Sequence, residues 1–457
     1  MSTGDIRREG ARYHVETLGC PKNAVDSAKL TGALATDGLI AADGPGDADL
    51  VVVNTCAFIE AAREESIETV LSLAEAAQPG ARIVVTGCLA ERAGAELAAA
   101  LPEVDAVVGF AGEGELASLL DVAPGEVPVA LPRRRPEGVR DLLELARPAP
   151  AAPWAYLKVA EGCDRACAFC AIPSFRGKQR SRTPDAIEAE ARGLVTGGAV
   201  EVVLVAQDLA WYGRDAGEPG ALVPLLRRLD RLAADGLERL RLLYLYPSEV
   251  RDPLVATMLE LPTVVPYFDL SLQHAAPDLL RRMRRWGSGA RFLALIDGIR
   301  RDEPGTAFRS SFIVGFPGET EDDHEALLDF CDTARLDWAG FFPFSAEDGT
   351  PAATMPGAPG PEVVAERLRE LGEVQDAVTA AARQELVGKT LEVLVDGSEP
   401  GTGDVVGRTY REAPEIDGVV RLETSAAPVA PGSVVWARAT AAEGPDLVAT
   451  VAAGRAA

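Results

Sequence analysis

Three short runs rich in apolar and β-branched residues open the chain, YHVETL (13–18), DLVVVNT (49–55) and ARIVVTG (81–87), with VDAVVGF (104–110) as a fourth. Each of the first three is followed by a helical stretch. Strands alternating with helices predict an open, largely parallel α/β sheet. Each of the first three strands ends in a cysteine: Cys20, Cys56 and Cys88. Such sheets bind ligands in the loops beyond their strands' carboxyl ends. The three thiols are therefore expected to converge, although 36 and 32 positions separate them along the chain.

A stretch rich in proline and without apolar periodicity follows and marks a domain boundary. The expected division is an N-terminal domain over 1–125, a linker over 126–153, a second domain over 154–384 and a third over 386–457. From 154 the strand–helix alternation resumes with AYLKVAEG (155–162), EVVLVAQD (201–208), RLRLLYLYP (239–247), YFDLSLQH (267–274), FRSSFIVGFP (308–317) and WAGFFPFS (338–345). Six βα units suit a partial (βα)6 barrel whose active site lies at the strands' carboxyl ends. Gln207, Asp208, Ser248, Gln273, His274, Glu319 and Ser345 fall at or just past those ends. Beyond a helix ending near Gln384, short strands (TLEVLVDG, VVRLET, SVVWARAT) between Gly and Pro turns predict a small β-barrel.

Seventy Asp and Glu against 45 Lys and Arg give a formal charge of −25. Such a field repels nucleic acid, which calls for a basic patch, and favours a basic partner. The terminal barrel, with ten acidic and six basic residues over 386–457, is acidic too. Direct nucleic-acid binding is not expected. No apolar run reaches the roughly 18 residues of a membrane span, and the first 20 residues lack a signal-peptide pattern. No membrane partner is expected, and the protein is expected to be cytoplasmic. Seven scattered cysteines without a secretion signal favour metal or catalytic use over disulfides.

The sharpest motif is EGCDRACAFCAIP, which sets Cys163, Cys167 and Cys170 in a Cys-x3-Cys-x2-Cys spacing directly after the first strand of the predicted barrel. Three thiolates on a short loop can hold three irons of a 4Fe–4S cluster and leave the fourth open. S-adenosylmethionine (SAM) can chelate that open iron, and an electron from the cluster then breaks its sulfonium C–S bond. The same spacing could be one apolar helix face, but Gly162, Asp164, Arg165 and Pro173 make a poor helix. A structural zinc site would want a fourth ligand nearby.

A three-cysteine loop after the first strand of a partial barrel resembles the radical SAM superfamily. The order of domains resembles its methylthiotransferases: an N-terminal three-cysteine domain, a radical barrel and a small β-barrel called TRAM. LGCPKNAVDS (18–27), AIPSFRGKQRSR (171–182), SLQHAAPDLLRRM (271–283), IVGFPGETEDD (313–323) and GRTYREAPEIDG (407–418) are similar to the RimO branch, which modifies an aspartate of small-subunit ribosomal protein S-twelve. The tRNA-modifying branch usually shows Gln-Met-Asn after the first cysteine, where this chain has Pro21, Lys22 and Asn23.

The resemblance implies a methylthiotransferase that adds a methylthio group to the β-carbon of that aspartate. It implies two 4Fe–4S clusters: a catalytic one on Cys163, Cys167 and Cys170, and an auxiliary one on Cys20, Cys56 and Cys88 whose free site carries the transferred sulfur. SAM would serve twice, as methyl donor and as radical source, with a flavodoxin- or ferredoxin-type electron donor. Glu201, near the start of the second barrel strand, resembles the segment that meets the SAM amino group. Gln273 and the turn Gly315, Phe316 and Gly318 are expected to contact the cosubstrate, the turn through backbone amides that a glycine lets approach closely, while GFPG taken alone reads equally as a tight turn. Arg176, Lys178, Arg180 and Arg182 form a basic run that is either a solvated face or a complement to an acidic group. Cys331 reads as a buried small hydrophobe. Two rivals stand beside this reading: the same chemistry on a tRNA adenosine, and a non-catalytic iron–sulfur electron carrier or binding protein.

Overall fold

Every residue of the strand Leu50–Thr55 is buried, and so is every residue of Arg82–Gly87. Burial without alternation is what central parallel strands covered on both faces require. In the computed structural model, which describes residues 10–121, 140–399, 401–423 and 429–456, these strands belong to a five-stranded parallel sheet. Its order is Ile40–Ala41, Arg12–Thr17, Leu50–Thr55, Arg82–Gly87, Ala106–Val107. The chain thus winds one way from the first strand and the other way from the third, which makes a topological switch between two adjacent strands. Cys20 follows one of those strands and Cys56 the other, and Cys88 follows the next strand along.

The sheet belongs to one of two compact units, made of residues up to 148 with 161–164 and 171–182. Residues 126–139 of the expected linker lie outside the described residues. Its later part is no free tether. Lys29, fully buried on the helix Pro21–Thr36, donates to the carbonyls of Leu143 (2.7 Å) and Leu145 (2.9 Å), and Arg140 pairs with Asp37 at 2.7 Å. A buried ammonium needs such acceptors, and they dock 140–146 onto the first unit. Proline content marked the segment as a boundary but could not show where its backbone carbonyls go.

The second unit holds 149–160, 165–170 and everything from 183 on. Trp154–Lys158, Glu201–Val205 and Arg239–Leu242 pair in parallel, as do Tyr267–Gln273, Ala307–Val314 and Trp338–Pro343. Isolated bridges Leu240–Val264 and Leu245–Leu270 join the two runs into six strands in sequence order, the partial barrel expected. After the helix Pro361–Gln384, five strands close a small barrel. Two of them, Val405–Arg408 and Asp446–Ala456, escaped the sequence pattern, the second because its alanines carry little β signal.

The terminal barrel clusters with the radical barrel as one unit, and the segment 408–417 shows why. All six radical-barrel strands send a polar side chain to it from at or near their amino ends. Tyr156 Oη donates to the Pro414 carbonyl (3.1 Å), Arg241 to the Tyr410 carbonyl (2.8 Å) and Trp338 Nε1 to the Arg411 carbonyl (2.7 Å). Glu201 accepts from Arg408 (2.9 Å), Tyr267 donates to Asp417 (2.6 Å), and Arg309 pairs with Asp417 at 3.4 Å. The motif GRTYREAPEIDG is thus the plug at the amino end of the barrel, opposite the end that carries the cysteine loop.

Candidate functional site

The first unit brings Cys20, Cys56 and Cys88 together at the carboxyl edge of three neighbouring strands. Gly19, at φ +90°, lets the chain turn so tightly that a Cβ there would lie 2.7 Å from the Cys56 sulfur. Gly87, at φ +88°, leads into the helix that starts at Cys88, and a Cβ there would strike Asn54 and Thr55. Both positions need glycine for their positive φ and for space. Asn23 ties the edge together: its Nδ2 donates to the carbonyls of Leu18 (2.9 Å) and Thr55 (3.0 Å), and its Oδ1 lies 3.7 Å from Cys88 Sγ.

Arg176 enters this cluster and is buried in it. Its Nε and Nη2 lie 3.3 and 3.2 Å from Cys88 Sγ, and Nη2 donates to Asn23 Oδ1 at 2.6 Å. Nη1 pairs with Glu161 (2.9 Å) and Asp26 (3.2 Å), and the guanidinium lies 4.7 Å over the Phe110 ring. The expected basic run is therefore no single surface. Arg176 and Arg182 are buried, Lys178 and Arg180 are exposed, and Arg180 bonds Asp141. Burial raises the Cys20 thiol, but Lys22 and Arg176 bring it below its ordinary value. Burial pushes Cys88 up to about 12 despite Arg176, and raises Cys56 with the help of the Cys20 charge. That Cys20 and Cys56 each act on another thiol's ionisation is the electrostatic sign of their closeness.

Three soft sulfur donors, two buried and one half-buried and without an imidazole among them, suit an iron–sulfur cluster better than a hard cation. Among the described residues no three His, Cys, Asp or Glu side chains are drawn in tightly enough for one bare ion.

The second trio lies on the loop between Ala160–Glu161 and the short helix Ile172–Phe175. Cys163 N donates to the Gly177 carbonyl at 3.1 Å. In the second unit, Cys170 N meets the Cys167 carbonyl (3.3 Å), and Ala168 is held on both sides by Met283 and Ala352 (2.9 Å each). Arg285 Nη1 lies 3.4 Å from Cys167 Sγ. None of the seven cysteines is in a disulfide, and Cys331 is fully buried in the radical-barrel core, as expected.

Arg165, set aside in sequence as a poor helix former, is a fixed point of this loop. It is sandwiched between the rings of Trp211 (3.9 Å) and Tyr246 (3.8 Å) and bonds Asp208 at 2.7 Å. Arg285 covers the far side of Tyr246 at 3.9 Å. Burial raises the Asp208 carboxyl, and Arg165 acts against it. Only the position of Asp208 just past a strand end pointed toward this network.

The expected cosubstrate residues divide. Gln273 ends its strand at the carboxyl edge with φ +73°, a left-handed conformation rare outside glycine, and Tyr244 (φ +65°) does the same beyond the neighbouring strand. Backbone strain of this kind gathers at functional sites. His274 beside it is buried, held by that burial down to about 4 and so neutral, with Nδ1 accepting from Ala276 N. Glu201 is not brought to this edge. It starts its strand at the opposite end, fully buried between Arg241 (2.6 Å) and Arg408 (2.9 Å). The amides of the 315–318 turn are also engaged within the protein. Gly315 N (2.6 Å) and Phe316 N (3.2 Å) donate to Glu319, and Gly318 N donates to the Gly357 carbonyl (2.7 Å). A Cβ on Gly315 would meet Val364 at 2.6 Å, and one on Gly318 would meet Arg282. These glycines serve packing, and the amides expected to face the cosubstrate do not.

Three family models match the chain: the uncharacterized protein family UPF0004 over residues 12–109, the radical SAM superfamily over 157–331 and the TRAM domain over 387–452. The ribosomal protein uS12 methylthiotransferase RimO of Saccharopolyspora erythraea is 44% identical over 96% of this chain and 94% of its own length. The protein of the same name from Moorella thermoacetica is 44% identical over 94% and 96%. Among solved structures, the radical S-adenosylmethionine methyltransferase TsrM from Kitasatospora setae shares the fold at a TM-score of 0.53, with 16% identity over 75% of this chain and 74% of that one.

Proposed function

Since the chain belongs to the RimO family of ribosomal protein uS12 methylthiotransferases, we propose that it adds a methylthio group to the β-carbon of an aspartate of uS12, using SAM and two 4Fe–4S clusters. Cys163, Cys167 and Cys170 would hold the catalytic cluster, and Cys20, Cys56 and Cys88 the auxiliary one. The observation that carries the reading is the sheet-edge trio: Cys20, half-buried, and Cys56 and Cys88, buried, meet at one sheet edge in a chain whose barrel already bears a Cys-x3-Cys-x2-Cys loop. Held by Cys163, Cys167 and Cys170, such a cluster would supply the electron for reductive cleavage of SAM, and so the means to functionalise an unactivated C–H bond.

The chain's own groups prepare that chemistry. Arg165 and Arg285 brace the loop on either side of Tyr246, so the thiolates are presented from a rigid seat. The strained carbonyl and side chain of Gln273 stand at the barrel's carboxyl edge, where the cosubstrate would lie. Glu201, Gly315, Phe316 and Gly318 are left out of the cosubstrate set, because other groups of the protein occupy their charges and amides. The acidic surface favours a basic protein substrate over tRNA. A flavodoxin- or ferredoxin-type protein would supply electrons one at a time.

The test is anaerobic. The protein is reconstituted with iron and sulfide, then given SAM and dithionite with uS12 beside a tRNA pool. A methylthio mass gain on the uS12 aspartate, lost in Cys163→Ala and in Cys56→Ala, is the expected result. A gain on tRNA adenosine would overturn the substrate, and absence of deoxyadenosine would overturn the radical chemistry.

A further inference from the structure

Arg176, in the first unit, bonds a sulfur, and nothing in the proposed reaction accounts for it. Its guanidinium has two working edges. Nε and Nη2 face Cys88 Sγ at 3.3 and 3.2 Å, and Nη1 faces the carboxylates of Glu161 and Asp26 at 2.9 and 3.2 Å. Asn23 Oδ1, itself 3.7 Å from the same sulfur, takes the remaining Nη2 direction at 2.6 Å. The side chain is almost wholly shielded from water, at 3% exposure, and Asp26 at 5%. A cation this deep is held only when paired and fully bonded. Here the pairing leaves one edge of the fork committed to a cysteine.

We propose that Arg176 is a positioning residue for the auxiliary cluster: it donates to the Cys88 sulfur, orients that ligand and raises the cluster's reduction potential, while Asp26 and Glu161 hold the guanidinium in place and moderate its charge. The proposal rests on the reading that Cys20, Cys56 and Cys88 hold a cluster. The physical reason is direct. Reduction adds a negative charge that spreads over the cluster and its sulfurs, so a fixed cation bonded to one sulfur favours the reduced state. Hydrogen bonds to sulfur and local net charge are the levers by which proteins set such potentials. The guanidinium fork suits the task because it can serve sulfur, amide and carboxylates at once in fixed directions. A lysine at the same place would keep the charge and lose the geometry.

The test uses the full chain with Cys163, Cys167 and Cys170 all changed to alanine, so that any cluster present is the auxiliary one. Iron content, the electron paramagnetic resonance spectrum of the reduced form and the midpoint potential are read for this parent, then with Arg176→Gln, Arg176→Lys or Asp26→Asn added. Arg176→Gln is expected to shift the potential down and alter the spectrum. Asp26→Asn is expected to shift the potential up, because it removes a compensating negative charge. Arg176→Lys should recover part of the potential but not the parent spectrum. A purely structural role would not give shifts of opposite sign. Potentials and spectra matching the parent's in both Arg176→Gln and Asp26→Asn would overturn the proposal. If Arg176→Gln holds no iron, Asp26→Asn alone decides, and an unchanged or lowered potential there overturns it. A parent that binds no iron refutes the two-cluster reading itself, an outcome distinct from the others.

Discussion

Glu201→Gln keeps the shape of a side chain and removes a charge on which two buried arginines converge. Arg241, fully shielded from water, bonds Glu201 at 2.6 Å and has no partner for its Nη2 among the described residues. Arg408 reaches Glu201 at 2.9 Å from the terminal barrel. Burial raises the Glu201 carboxyl, but Arg241, Arg408 and Arg239 overcome it and bring it from 4.5 down to about 2. At about 1.4 kcal/mol per tenfold, that difference is worth about 3 kcal/mol. Breaking a buried pair by removing one partner costs roughly 3–5 kcal/mol, so the two routes agree. Because the folded value lies below the unfolded one, the contribution is complete above about pH 4.5 and fades as pH falls toward 2. All five tryptophans, at 154, 211, 286, 338 and 436, lie in the second unit, so urea unfolding followed by tryptophan fluorescence reads this unit. At pH 7.5, with an m-value of about 3 kcal/mol/M, the midpoint should fall by about 1 M. SAM affinity, measured by equilibrium binding to the reconstituted protein, should stay unchanged. An unmoved midpoint with weakened SAM binding would refute the reasoning and return Glu201 to the cosubstrate.

Other outcomes follow from the two cysteine sites and their supports. Cys20→Ala, Cys56→Ala or Cys88→Ala should each lower the iron of the reconstituted protein by about four per chain, measured by colorimetric assay, and leave SAM cleavage to deoxyadenosine in place. Gly19→Ala puts a Cβ 2.7 Å from Cys56 Sγ at φ +90°; it should cost roughly 1–2 kcal/mol and diminish auxiliary iron without touching the barrel cluster. Arg165→Ala removes two ring contacts worth roughly 1 kcal/mol each and strands buried Asp208; the tryptophan-detected urea midpoint should drop and deoxyadenosine formation slow. Gln273→Gly relieves about 1 kcal/mol of left-handed strain and should stabilise the fold while weakening SAM binding, seen as a raised midpoint with a raised Kd.

Periodicity and spacing carried far into this chain. The six barrel strands start within a few residues of their expected positions, because each is a short run rich in apolar or aromatic residues set off from the helices by Gly, Pro and polar residues. The cysteine that ends each of three such runs foretold a shared edge, because strand topology converts equal places in a repeat into neighbours in space. Local patterns could not show which partner a side chain meets. Glu201 and the glycines of 315–318 sit in segments like those that touch cosubstrate elsewhere, and Arg176 reads as one basic residue among four.

What the sequence by itself determined is the element order, the two cysteine trios and the class of chemistry they permit, since strand periodicity and ligand spacing are local properties of the chain. Only the tertiary structure decided that Glu201 pins the terminal barrel to the amino end of the radical barrel, that Glu319 and Gly357 take the amides of the glycine turn, and that Arg176 lies against Cys88. Each of these is a buried polar contact between residues 3 to 207 positions apart. A buried charge or amide must find its partner wherever packing brings one, and no spacing along the chain encodes which partner that is.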